Sequence, residues 1–109
     1  MQDFHDKVAV ITGGASGVGR SLAFALGKRG AKIAVGDVDS KAMHQVAADL
    51  AAEGIEAIVE HCDVTSVDSL NHLADVAEQK LGPLDLVFAN AGIGAGESGA
   101  MWDYSEKDW

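Results

Sequence analysis

The eight residues Thr12-Gly13-Gly14-Ala15-Ser16-Gly17-Val18-Gly19 join two segments of different period, and they constrain the chain more than any other feature. Before them, Val8 to Ile11 is a short continuous apolar run, the mark of a strand buried on both faces. After them, Val18, Leu22, Ala25 and Leu26 recur at helical spacing, and Gly30 stands where a left-handed cap would end the helix. A turn this rich in glycine lets a phosphate approach a helix start, because side chains are missing and positive φ is permitted. Strand, glycine turn and helix in this order predict one βα unit with an anion-binding start.

The alternation repeats. Ile33 to Val35 reads as a second strand, and Asp37-Val38-Asp39-Ser40 supplies a turn and an N-cap for a helix with the apolar stripe Met43, Val46, Ala47, Leu50 and Ala51, ended by Gly54. Ile55 to His61 reads as a third strand. Thr65 and Asp68 have capping-box spacing ahead of a helix whose buried face is Leu70, Leu73, Ala74, Ala77 and Leu81, stopped by Gly82-Pro83. Leu84 to Ala89 is the fourth strand. Strands alternating with helices predict an α/β fold with a doubly wound parallel sheet, strand order 3-2-1-4, which leaves the fourth strand as an unpaired edge. A glycine-rich loop follows it, and Ser105 with Asp108 looks like a further helix opening. With 109 residues and 48% apolar content, the chain is one domain, residues 1–109.

The glycine spacing admits a rival. Gly14 to Ser21 reads Gly-Ala-Ser-Gly-Val-Gly-Arg-Ser, one residue away from a P-loop, but a P-loop needs lysine where Arg20 stands. An ATPase or GTPase is therefore the weaker reading. Asp37 falls 18 residues after Gly19, at the end of the second strand, where a carboxylate can accept from both hydroxyls of an adenosine ribose. That favours NAD. A carboxylate repels the 2′-phosphate of NADP, and Ser16, Val38 and Asp39 offer no cation to offset it.

Charge and cysteine content narrow the partners. Eight Lys and Arg against 17 Asp and Glu give a formal charge of −9, which argues against nucleic acid or an anionic membrane. The single cysteine, Cys62, cannot form an internal disulfide, and the four histidines, His5, His44, His61 and His72, show no ligand spacing, so no metal site is expected. Met1 to Lys7 lacks the basic flank and apolar run of a secretion signal, and no apolar stretch approaches the ~20 residues of a membrane span. A cytoplasmic protein is the expectation.

Thr12 to Gly19, Asp37, Cys62-Asp63-Val64 and Asn90-Ala91-Gly92 together resemble, in order, the landmarks of the short-chain dehydrogenases/reductases. The resemblance runs from about Lys7 to Trp109 and implies the N-terminal four strands of a Rossmann domain. It implies that Gly13, Ser16, Gly17, Val18 and Gly19 hold a pyrophosphate, and that Asp37 binds the adenosine ribose. Asp63 and Val64 would lie against adenine, and Asn90, Ala91 and Gly92 would support the sheet and border the cofactor. The implied activity is hydride transfer between a nicotinamide and an alcohol or carbonyl substrate, in a complete protein that is a homo-oligomer. Departures from the family pattern are as telling. Its helix asparagine, its serine after a fifth strand and its Tyr-x-x-x-Lys pair have no counterpart, so the chain reads as the cofactor-binding part without the catalytic half and contributes no catalytic residue. Tyr104 and Lys107 are three apart, fourteen residues after Asn90, with no fifth strand between, and are read as loop and helix-start residues. Met101 and Trp102 fit either packing or a substrate mouth. Two alternatives stay open: a non-catalytic dinucleotide-binding module, and an adenosine-binding methyltransferase, against which Asn90-Ala91-Gly92 and the glycine spacing speak.

Overall fold

A computed structural model describes residues 4–13, 15 and 17–89. Its elements alternate: β1 (Val8–Thr12), α1 (Gly17–Gly27), β2 (Lys32–Asp37), α2 (Ser40–Ala52), β3 (Ala57–His61), α3 (Val67–Leu81) and β4 (Leu86–Ala89). The sheet order is β3-β2-β1-β4 and every pairing is parallel, as the alternation predicts. Among the described residues β4 pairs on one side only, with β1.

Strand period and connection handedness explain the layers. Along β1, Ala9 and Ile11 enter one core with Ile33 and Val35 of β2, Ala23 and Leu26 of α1, and Met43, Val46 and Leu50 of α2. Val8 and Val10 enter the other, with Ala34, Val87 of β4, and Leu73, Ala77 and Leu81 of α3. From β1 through β3 the chain advances in one direction. To reach β4 it must return past β2 and β1, and a right-handed return places α3 on the opposite face. Both faces are thus covered by helices, and the large side chains Ile11, Ile33, Leu50 and Leu73 are fully buried, each worth about 1.5–3 kcal/mol.

Several local expectations are revised. The strands differ in extent from their apolar runs, since β1 and β2 run on to Thr12 and Asp37, while Ile55 and Leu84 lie outside β3 and β4. In α1 the buried residues are Gly19, Ala23 and Leu26, whereas Val18 and Ala25 face solvent. The true stripe is one residue out of step with the apolar pattern because the sheet receives the small residues, which permit close approach. Ala51 is likewise exposed at the end of α2. Asp39 caps α2 by accepting from the Ala42 N–H at 3.0 Å. The cap of α3 is Ser66, which accepts from the Ser69 N–H at 3.1 Å, and not Thr65. The Thr65 hydroxyl instead donates to Asp63 Oδ1 at 2.7 Å, so the capping role passes to the next residue. Ser16, Asn90, Ala91 and Gly92, and the segment holding Met101, Trp102, Tyr104 and Lys107, lie outside the described residues.

Candidate functional site

Register brings the predicted residues to one end of the sheet. Thr12 pairs with Gly36 and with Ala89, and Asp37 pairs with His61, so the carboxyl ends of all four strands are level. Gly13 follows β1, Asp37 closes β2, and Asp63 lies two residues past β3. Between β1 and β4 the strand order reverses, and in open α/β sheets ligands bind at such a reversal, outside the carboxyl ends.

Gly13 and Gly17 flank the glycine turn. Gly13 has φ +67° and donates its N–H to the Gly36 carbonyl at 2.7 Å, and Gly17 opens α1 with φ +61°. These left-handed values are the reason for glycine at both places. No acidic side chain stands in the first turn of α1, so the positive end of its dipole is not neutralised from within the helix.

Asp37 is the most connected side chain at this end. Its Oδ2 accepts from the Ala15 N–H of the glycine turn at 3.1 Å. Its Oδ1 accepts from the Val38 N–H at 2.7 Å and, more weakly, from the Asp39 N–H at 3.3 Å. Its carbonyl accepts from the Cys62 N–H at 2.9 Å, tying β2 to the turn after β3. A carboxylate offers about four lone-pair positions; these three N–H groups use two on Oδ1 and one on Oδ2, so one position on Oδ2 is open and a second, on Oδ1, is held only by the long Asp39 bond.

Asp63 is anchored from two sides. Its N–H donates to Ser69 Oγ at 2.9 Å, and its Oδ1 accepts from the Thr65 hydroxyl at 2.7 Å and N–H at 2.9 Å. The Thr65 bonds hold its carboxyl below the usual aspartate range, with a smaller contribution from His61. It is an ionised acceptor with Oδ2 outside this network. Neighbouring Cys62 is buried, and burial pushes its thiol up, so it is a neutral packing group and no nucleophile.

Apolar exposure concentrates at the same end. The exposed large apolar residues among those described are Val18 (73%), Val38 (59%), Val64 (37%) and Val67 (64%), all at helix starts or in the connections that follow strands. Val18 and Val64 are two of the residues to which the family resemblance assigns cofactor contacts, and both are exposed here. Val38 and Val67 were missed as apolar surface, although Val38, lodged between two aspartates, is an apolar residue where a turn would ordinarily be polar.

Arg20 points elsewhere. Its Nη2 lies 2.7 Å from Asp49 Oδ2 of α2, its guanidinium sits 4.9 Å over the Phe24 ring, and Gln45 donates to the other Asp49 oxygen at 3.0 Å. The Arg20 bond is the main reason the Asp49 carboxyl is held low. The residue at the P-loop lysine position thus joins α1 to α2, which removes the basis of that rival. A hollow of about 260 Å³ lined by His5, Asp6, Lys32 and Glu56, among others, lies at the opposite, amino-terminal end of the strands. No group of residues suited to a metal ion occurs among the described residues, and no helix among them is long and apolar enough to cross a membrane.

Comparison with known proteins agrees with this architecture. The family model described as short chain dehydrogenase matches residues 7–109. The chain is 41% identical over 90 residues to "Short chain aldehyde dehydrogenase 1" of Euphorbia lathyris, covering 83% of this chain and 31% of that protein. It is 35% identical over 109 residues to the "CLA biosynthesis dehydrogenase/reductase" of Lactiplantibacillus plantarum, covering 100% of this chain and 37% of that one. Among solved structures, a short chain dehydrogenase/reductase from Burkholderia phymatum in complex with NAD superposes with a TM-score of 0.82 at 40% identity, over 86% of this chain and 34% of that one. The chain belongs to the short-chain dehydrogenase/reductase family, and the part present is a Rossmann-type α/β sheet. It spans about a third of the length of the curated relatives it matches.

Proposed function

We propose that this chain is the cofactor-binding part of an NAD-dependent oxidoreductase acting on a small alcohol or carbonyl compound. The observation that carries the reading is the placement of Asp37 beside the glycine turn at the carboxyl end of the sheet, with one acceptor position open on Oδ2 and a second, on Oδ1, held only by the long Asp39 bond. Bound nicotinamide would supply the hydride chemistry. The chain's own residues bind and orient. Gly13, Ser16, Gly17, Val18 and Gly19 form the diphosphate cradle, and Asp37 accepts from the ribose hydroxyls. Asp63 accepts from the amino group of the adenine, against which Val64 packs, with exposed Val38 as a second apolar contact. Asn90, Ala91 and Gly92 border the cofactor from the end of β4.

Preference for NAD over NADP follows from charge: Asp37 would face a 2′-phosphate, and its neighbours Val38 and Asp39 are not basic. A cytoplasmic setting, with no nucleic acid or membrane partner and a homo-oligomeric complete protein, belongs to the same reading. The acidic charge of −9 and the free, buried Cys62 support its first parts, and family resemblance supports the last. Titration calorimetry of the chain with NAD, NADP and AMP tests it. The expected order is NAD tighter than NADP, with AMP retaining much of the affinity. Tighter binding of NADP, or no binding of any of the three, would refute the assignment.

A further inference from the structure

We infer that Asp37 is also a positioning residue for the diphosphate turn, so that the adenosine end of the site and its phosphate end are coupled through one carboxylate. This rests on the dinucleotide reading above and goes further, since that reading asks of Asp37 only that it meet a ribose. The bond from Ala15 N–H to Asp37 Oδ2, 3.1 Å long, joins residues 22 apart in sequence. It fastens the middle of the glycine turn to the tip of β2, while the Gly13 N–H to Gly36 carbonyl bond fastens the start of the turn to the same tip. Glycines at positions 13, 14 and 17 give the segment great freedom in the unfolded chain, and ordering it costs conformational entropy. The two bonds tie Gly13 and Ala15 to the same tip of β2 before a ligand arrives. Ala15 is itself buried, so its N–H would have little access to water if the carboxylate were removed.

Coulomb's law gives the inference a sign. A carboxylate this close to a diphosphate repels it, so a role confined to the ribose hydroxyls predicts that deleting the carboxylate leaves unchanged or tightens a ligand without those hydroxyls. A positioning role predicts the reverse.

The test is calorimetry of the chain and its Asp37→Ala and Asp37→Asn variants with ADP and with 2′,3′-dideoxy-ADP. Expected is a loss of about tenfold for dideoxy-ADP in Asp37→Ala, the ratio that about 1.4 kcal/mol gives. Asp37→Asn, whose amide oxygen can still accept from Ala15, should recover most of it. Equal or tighter dideoxy-ADP binding by Asp37→Ala overturns the inference, and if ADP alone weakens, the ribose assignment stands while the coupling falls. Failure of the unaltered chain to bind ADP overturns both. Amide exchange of the unaltered chain decides the matter even if Asp37→Ala does not fold: an Ala15 N–H exchanging at the rate of an unprotected amide overturns the inference, and a protected one supports it.

Discussion

Replacing Gly36 by alanine tests whether the tip of β2 is as tightly packed as the site requires. A Cβ at this position would meet Leu73 Cδ2 at 2.5 Å and Cys62 Cβ at 2.9 Å. Leu73 Cδ2 is the end of a flexible side chain and can yield in part, although Leu73 is fully buried in a close-packed core. Cys62 Cβ has less room to yield, because its own N–H is bonded to the Asp37 carbonyl at 2.9 Å. Overpacking of this kind costs about 1–3 kcal/mol, and with two buried neighbours in the way we expect about 2. In a domain of this size that lowers Tm by roughly 8–16 °C. Gly54→Ala is the control: its φ of +76° is unfavourable to alanine, but a Cβ there meets nothing within 4 Å, so its cost is the conformational one of about 1 kcal/mol. Urea unfolding followed by circular dichroism gives both values. Gly36→Ala combined with Leu73→Ala should lose less than the sum of the single losses, because the second change removes one of the colliding atoms. A Gly36→Ala protein within about 0.5 kcal/mol of the original, or strict additivity in the pair, would refute the packing argument.

Three further outcomes are expected. Asp37→Ala with Val38→Arg should narrow or reverse the preference for NAD over NADP, read as a ratio of dissociation constants; an unchanged ratio would remove Asp37 from the ribose site. Asp63 has a lowered carboxyl pKa in the folded chain, so its stabilising contribution is complete above the unfolded value near pH ~4 and is lost as pH falls through the lower folded value. Urea unfolding of the chain and of Asp63→Asn should therefore differ at neutral pH and converge in acid, and a difference that grows in acid would contradict the assignment. Arg20→Lys restores the P-loop residue type, yet phosphate release from ATP should stay at background, because this position is directed to Asp49 on α2; measurable hydrolysis would revive the rival.

Legibility in the sequence followed the range of the interactions concerned. Strand order was accessible because parallel connections are right-handed and the alternation of elements was unambiguous, which leaves few arrangements to consider. Asp37 was accessible because it closes the second strand, and the carboxyl ends of strands in this fold share one end, whereas Asp63, two residues past β3, was reached only through the family resemblance. The face of α1 was not. Apolar periodicity selected Val18 and Ala25, but the buried face runs through Gly19, which carries no hydrophobic signal, and Ala23, which differs from the exposed Ala25 only in its place on the helix. The shift of the α3 cap from Thr65 to Ser66 was hidden for another reason: two adjacent hydroxyls competed, and Asp63 took one of them. The Ala15 to Asp37 bond requires a turn after β1 and the end of β2 to be adjacent in space, and no local pattern encodes that.

The residues that make the two cores and those that line the carboxyl end of the sheet form nearly separate sets. Ala9, Ile11, Ile33 and Val35 are buried against helices, while Gly13, Asp37 and Asp63 are half-buried and Val64 is exposed at or just past the strand ends. Repacking behind the sheet therefore acts on stability at a distance from the carboxyl end, whereas a change at Asp63 acts at that end and on stability together. Gly36 is where the two sets meet. It lies in β2 against Leu73 and Cys62, its carbonyl holds the glycine turn, and its chain neighbour is Asp37. In this chain a side chain added there would disturb the packing behind the sheet and the turn in front of it at once.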